Sequence, residues 1–173
     1  MDLDAFFVSC ERLLDSKLNG KPVLIGGTSD RGVVASCSYE ARTFGVHSAM
    51  PMRMAKQLCP EAIVLRGNSG IYTKFSENVT AVIKEHVPLY EKTSIDEFYI
   101  DLTGMDKFFG CHKLASELRQ RIIKETGLPI SFGLSLNKTV SKIATGEAKP
   151  NNEIRILSGN EKSFLAPLSV KKI

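Results

Sequence analysis

TSIDEFYID, residues 93–101, is the stretch on which the reading of this chain turns. Ile95, Phe98, Tyr99 and Ile100 are strand formers, yet the adjacent acids Asp96 and Glu97 stand among them. Asp and Glu are poor strand residues, and a regular strand would send neighbours to opposite faces. A turn relieves the conflict. "LYEKT" (89–93) and "FYIDLTG" (98–104) both read as strands, so Ser94–Glu97 is expected at or near the turn of a hairpin. An acidic turn has two readings: a solvated bend, or a place where like charges are held to bind something positive.

The flanks extend the pattern. Ile71, Phe75, Val79, Val82 and Ile83 recur at the spacing of one helical face before the hairpin. After it, Leu114, Leu118, Ile122 and Ile123 mark a second amphipathic helix. "LPISFGLS" (128–135) reads as a strand, "NKTVSKIATGEAKP" as a helix ended by Pro150, and "NEIRIL" (152–157) as a last strand. With a short first strand at Met1–Ala5, this predicts an α+β fold: a ferredoxin-like, mostly antiparallel sheet with helices on one face. In between come a helix pattern from Phe6 to Leu18, strands at 22–27 and 33–37, short helices at 39–45 and 50–60, and a strand at 62–66. That run is expected to form a small α/β subdomain inserted after strand one.

The 173 residues suffice for one domain carrying an insertion. Hydrophobic residues at 43% and charged residues at 24% exclude a disordered chain. The net charge of +4 is compatible with nucleic acid without requiring it. Cys10, Cys37, Cys59 and Cys111 are scattered, with no CxxC or Cys/His cluster to suggest zinc. They read as free thiols in a reducing cytoplasm. No apolar run approaches the ~20 residues of a membrane span, and "MDLDAFF" lacks the basic region of a signal peptide. A cytoplasmic protein with no membrane partner is expected.

Asp2 and Asp4 lie two apart on the first strand and share a face if it is regular. Acids there, facing a hairpin with adjacent acids, suit a two-metal phosphoryl-transfer site, in which carboxylates converge on two Mg2+ ions about 3.5–4 Å apart. The plainer reading makes Asp4 a helix cap and Asp96–Glu97 a solvated turn. Tyr39 and Arg42 are three apart on one helix face, and Arg offers a planar fork to phosphate with a Tyr hydroxyl beside it. Alone, such a pair is equally a surface contact. Lys149, near a helix end, answers the helix dipole on the plainer reading.

Five stretches in order, "DLDAFFVSCE" (2–11), "SYEARTFGV" (38–46), "SIDEFYIDLTG" (94–104), "GLSLNKTVSKIA" (133–144) and "AKPN" (148–151), closely resemble motifs of the Y-family translesion DNA polymerases, bacterial polymerase IV-like members above all. The resemblance covers nearly the whole chain. It implies a palm of residues 1–5 and 71–173 and fingers of residues 6–70. It implies that Asp2, Asp96 and Glu97 are catalytic and, with the carbonyl of Leu3, bind two Mg2+ ions, Mn2+ being the alternative. A nucleotide site of Phe6, Phe7, Ser36, Tyr39, Arg42 and Lys149 is also implied. Within it Phe7 is a steric gate against a 2′-hydroxyl, and Val33 and Ala35 roof the nascent base pair.

By the same resemblance, the activity is low-fidelity, template-directed addition of dNTPs to a primer 3′-hydroxyl. Primer–template DNA and dNTPs are the partners, with a sliding clamp for the full-length protein. Asp4 and Asp101 keep structural readings, as a helix cap and an exposed strand residue. Lys138 and Lys142 read either as contacts to DNA phosphates or as a solvated helix face.

Two departures qualify the match. Asn152 stands where the family usually has Gly, and the apolar residues that usually precede the first catalytic acid are not seen before Asp2. No thumb or little finger follows "SVKKI", so a palm–fingers fragment of weak or no activity is expected, because those parts supply most of the phosphate grip. The alternative function is a non-catalytic nucleic-acid- or protein-binding module on a polymerase fold. The intact carboxylates and the Tyr/Arg/Lys set argue against it.

Overall fold

The computed structural model describes residues 1–105 and 110–172. They form two compact units, Met1–Asp4 with the chain from Ser76 onward, and Ala5–Phe75. Along the chain run β1 (Asp2–Leu3), α1 (Phe6–Leu14), β2 (Val23–Gly26), β3 (Val34–Cys37), α2 (Tyr39–Arg42), α3 (Met52–Leu58) and β4 (Ile63–Leu65). Then come α4 (Ser69–His86), β5 (Tyr90–Lys92), β6 (Phe98–Ile100), α5 (Cys111–Thr126), β7 (Ile130–Leu134), α6 (Lys138–Ala148), β8 (Glu153–Arg155) and α7 (Glu161–Leu165).

In the first unit, β1 pairs antiparallel with β7, Asp2 opposite Ser131, and β7 pairs parallel with β8. The other edge of β1 meets the start of β6. Asp2 bridges Glu97, the Phe98 amide donates to the Met1 carbonyl at 2.9 Å, and the Met1 amino group donates to the Phe98 carbonyl at 2.8 Å. β6 closes on β5 with Tyr90 opposite Ile100. The spatial order β5-β6-β1-β7 is that of a βαββαβ ferredoxin-like sheet, and β8 extends it by a parallel crossover through α6. Leu3, Ile83, Phe98, Ile122, Ile130 and Phe132 fill its core.

Two helices bury faces that apolar spacing misses. On α4 the buried positions include Tyr72, Ser76, Val79 and Ile83, whereas Ile71 and Phe75 are only half-buried. The two polar side chains go inside because each has a partner, as burial requires. The Ser76 hydroxyl donates to the Ile95 carbonyl, and the Tyr72 hydroxyl donates to Glu11 at 2.6 Å. On α5, Arg119 is buried beside Ala115, Leu118 and Ile122.

In the second unit β2 is central, antiparallel to β3 and parallel to β4. α1 stops at Leu14, short of the expected Leu18. Asp15 is extended there (φ −137°), and its carboxylate accepts from the Lys17 amide at 3.0 Å to start a separate 3-10 turn over Ser16–Leu18. Leu24, Val34, Cys37, Ala41, Val46, Met52 and Ala55 make the core of this unit. Ser38 links its sheet to α2: the hydroxyl oxygen accepts from the Ala41 amide at 3.2 Å and from the Val23 amide at 2.9 Å. Ser38→Ala removes a cap and leaves a buried amide unpaired, so a loss of about 2 kcal/mol is expected. Urea unfolding should show a lower midpoint at unchanged slope; an unmoved midpoint would mean that water replaces the hydroxyl.

The four cysteines form no disulfide, with Cys10, Cys37 and Cys59 buried and Cys111 half-buried. Burial pushes the Cys10 thiol up to about 12, which suppresses the reactive thiolate. A thiol-specific disulfide reagent at mildly alkaline pH should label Cys111 first and reach Cys10 only on unfolding. Early modification of Cys10, mapped by mass spectrometry, would contradict this packing. No helix among the described residues is long and apolar enough to cross a membrane.

Candidate functional site

The acidic pair lies in the loop between β5 and β6. The Thr93 amide donates to the Glu97 carbonyl at 3.1 Å, closing that loop. Within it the backbone bends over Ser94–Asp96 and becomes extended again at Glu97. Ser94 holds the bend: its hydroxyl oxygen accepts from the Asp96 and Glu97 amides at 3.4 and 3.1 Å and donates to Asp96 Oδ1 at 2.6 Å. Asp96 therefore belongs to the bend and Glu97 to the ladder, and simple strand alternation does not relate them. The Leu3 amide donates to the Asp96 carbonyl at 3.0 Å, while Asp2 bridges Glu97. Three acids thus come from two hydrogen-bonded chain segments.

Two lysines converge on these acids. Lys149, just beyond α6, donates its Nζ to Asp2 Oδ1 and, at 3.2 Å, to the Leu3 carbonyl. Lys142, on α6, pairs with Glu97 at 3.0 Å. Burial pushes the Asp2 carboxyl up to about 6; Lys149 pulls against it, and the charges of Asp96 and Glu97 add to the rise. Burial also raises Glu97, but the hydrogen bond and charge of Lys142 outweigh it and hold that carboxyl below its usual range. Such crowding of acids favours whatever cation can reach them.

Among the described residues, no three His, Cys, Asp or Glu side chains stand close enough together to hold a metal ion as placed. The donor types nonetheless fit Mg2+, which takes carboxylate and carbonyl oxygens and keeps several waters. The Lys149 ammonium already rests on two of the expected donors, the Asp2 carboxylate and the Leu3 carbonyl. Asp96 is turned to Ser94.

Asp4 is not a helix cap. The cap position of α1 is Ala5, in the left-handed region at φ 42°, and no side chain caps the helix. Asp4 is instead 1% exposed, and it accepts from the Ser131 hydroxyl and the Asn151 amide. β1 is two residues long and turns at Asp4, so Asp2 and Asp4 are not partners on one regular strand face. Asp101 lies just past β6 and accepts from the Thr103 amide at 2.9 Å. Lys138 pairs with Glu91 and lies 5.2 Å from the centre of the Tyr99 ring.

In the second unit, α1 separates its two leading aromatics. Phe6 is 3% exposed, whereas Phe7 is half-buried with its ring flat on Tyr72, centroids 4.4 Å apart at 14°. The bond from Tyr72 to Glu11 holds that support in place. Sequence reading missed Tyr72, because its partners are remote in the chain and local periodicity cannot register them. Val33, just before β3, and Ala35 on it are exposed, while Ser36 turns to the buried side. On α2 the Arg42 guanidinium lies 4.6 Å from the Tyr39 ring centre, so the pair expected to share a face is stacked.

Residues 1–146 match the impB/mucB/samB family. The chain is 45% identical over 174 residues to "DNA polymerase IV" of Treponema denticola, an alignment covering 100% of this chain and 44% of that protein. It is 45% identical over 172 residues to "DNA polymerase IV" of Dehalococcoides mccartyi, covering 98% and 44%. The chain spans less than half the length of these curated relatives. Among solved structures it is similar to "Insertion ternary complex of Dbh DNA polymerase", with TM-score 0.90, 32% identity and coverage of 99% of this chain and 52% of that one. It is likewise similar to DinB from Sulfolobus solfataricus, with TM-score 0.90, 33% identity and coverage of 99% and 51%.

Proposed function

The chain belongs to the impB/mucB/samB family, the Y-family of DNA polymerases, and on that premise we propose that it is the catalytic core of a translesion DNA polymerase. Its reaction is template-directed, low-fidelity transfer of dNTPs to a primer 3′-hydroxyl. The unit built on β1 and β7 is the palm, and Ala5–Phe75 is the fingers. Asp2, Asp96, Glu97 and the Leu3 carbonyl are the ligands of two Mg2+ ions, for which Mn2+ can substitute. Bound there, the ions neutralise charge on the reacting phosphate and favour ionisation of the primer hydroxyl.

The remaining work falls to side chains. Lys149 and the exposed Arg42 supply positive charge to the triphosphate, and Tyr39 adds a hydroxyl donor. Phe7, backed by Tyr72, excludes a 2′-hydroxyl. Val33 and Ala35 present a small apolar surface to the base pair, which suits a permissive pocket. Ser36 joins the nucleotide site only if its side chain leaves the buried side of β3.

One observation carries the reading: the junction of β1 with the β5–β6 loop, where Asp2 bridges Glu97 and the Asp2 carboxyl is pushed up to about 6. A buried acid held beside Glu97 at such a cost to its own ionisation is suited to a cationic ligand. The test is a titration of dNTP into the chain with Mn2+ and with a chelator. Saturable binding that needs the divalent ion and is weaker for the ribonucleotide is expected. Binding indifferent to the metal, or none, would overturn the reading in favour of a non-catalytic module.

A further inference from the structure

Lysine ends in a flexible four-carbon stem, so an ammonium resting on one carboxylate and one carbonyl needs its backbone fixed. The loop that carries Lys149 is fixed from two sides. On one side is Asp4, whose two carboxylate oxygens accept from the Ser131 hydroxyl at 3.0 and 2.9 Å, while Oδ2 also accepts from the Asn151 amide at 2.8 Å. Ser131 is fully buried, and its hydroxyl oxygen accepts in turn from the Asn152 amide at 3.2 Å.

On the other side is Arg119, 7% exposed on α5. Its Nε donates to the Ile130 carbonyl at 2.8 Å, and its Nη2 donates to the Asn151 carbonyl and, at 2.7 Å, to Asn151 Oδ1. Glu153 lies 3.8 Å from the guanidinium and is itself held by the Ser116 hydroxyl at 2.7 and 2.8 Å. Asn151 thus has its amide, carbonyl and side-chain oxygen all engaged, in the left-handed region at φ 49°.

These contacts close a ring. Asp2, the target of the Lys149 ammonium, and Asp4, the anchor of its loop, lie two residues apart on one short segment. We propose that Asp4, Asn151 and Arg119 form a clamp that sets where Lys149 places its charge, making them positioning residues for the metal and triphosphate end of the site. The functional half of this inference rests on the polymerase reading; the clamp itself rests on the bonds above. A buried carboxylate and a buried guanidinium are costly unless fully hydrogen-bonded, and here both are used on the same loop residue.

Lysine acetylation mapped by mass spectrometry reads the clamp without any nucleotide. The Lys149 side chain is 21% exposed, and Lys113, at 74%, serves as internal reference. Asp4→Asn keeps the volume but removes the charge, and either orientation of the amide costs a contact: its NH2 faces the Asn151 N–H or takes the place of an oxygen that accepts from the Ser131 hydroxyl. It should raise Lys149 acetylation relative to Lys113 about tenfold, the scale of one lost charge-assisted hydrogen bond. Asn151→Gly keeps the left-handed backbone and loses only the side-chain contact, so a smaller rise in the same direction is expected.

In Mn2+-dependent dNTP binding, Asp4→Asn should add nothing to Lys149→Ala, because both act through one ammonium. Unchanged Lys149 acetylation in variants that still unfold cooperatively would overturn the clamp, as would additive losses of dNTP affinity. If Asp4→Asn fails to fold, Asn151→Gly decides. If the wild-type chain binds no dNTP, the polymerase reading falls while acetylation still judges the clamp.

Discussion

Asp2→Asn is expected to fold and to lose Mn2+-dependent dNTP affinity by at least about 100-fold, a loss that even outer-shell changes at a metal can reach. Asparagine keeps the size and one acceptor oxygen but removes the charge that draws a cation to the junction of β1 and the β5–β6 loop. On the proposed reading, protons compete with the cation for the same carboxylate. With Asp2 at about 6, wild-type affinity should fall as pH drops through that value, because the protonated acid is a poor ligand. The variant should lack this limb.

Stability runs the other way. The folded-state value lies above the unfolded one of 3.8, so the folded chain holds this proton more tightly. Ionisation of Asp2 therefore withdraws stability as pH rises from 3.8 to about 6. Asp2→Asn should escape that loss, giving a midpoint at neutral pH no lower than wild type. Full metal-dependent affinity in the variant would remove Asp2 from the ligand set.

The fold was legible where local rules and tertiary packing agree. Acids interrupting two strand patterns marked a hairpin turn, and the helix–hairpin–helix–strand order around it could hardly be drawn except as a βαββαβ sheet with an insertion. The same local rules failed at Asp4. An acid just before a helix matches a cap, but its partners Ser131 and Asn151 are far along the chain and carry no local signature. Ser76, Tyr72 and Arg119 escaped for a related reason: apolar periodicity counts polar residues as exposed, and each of these is buried on a tertiary hydrogen bond. At the site, spacing showed that Tyr39 and Arg42 share a face, whereas their proposed task came from motif resemblance. The alternation of β3 likewise separated Ser36 from Val33 and Ala35 without saying which side would be covered.

Gly133→Ala is expected to destabilise the chain by about 3 kcal/mol, the upper end of the range for overpacking. Gly133 is in β7 beneath α6. A Cβ there would lie 2.5 Å from both the Ala144 Cβ and the Ser141 carbonyl oxygen and 2.7 Å from the Thr145 nitrogen. Two of these are helix backbone atoms and cannot rotate away, so α6 itself must lift. The Gly133 amide also donates to the Thr145 hydroxyl at 2.8 Å, and lifting the helix strains that bond too.

The effect should reach the site, because α6 carries Lys142 to Glu97 and ends just before Lys149 on Asp2. Folded Gly133→Ala molecules should therefore bind Mn2+–dNTP more weakly, beyond the fraction lost to unfolding. Gly146→Ala makes the control on the same helix. A Cβ there meets nothing within 4 Å, so the change should stabilise by up to about 1 kcal/mol through helix propensity alone. Urea midpoints moving in opposite directions for the two variants would locate the constraint at the contact of β7 with α6; equal stability of Gly133→Ala and wild type would show that the helix has room to shift.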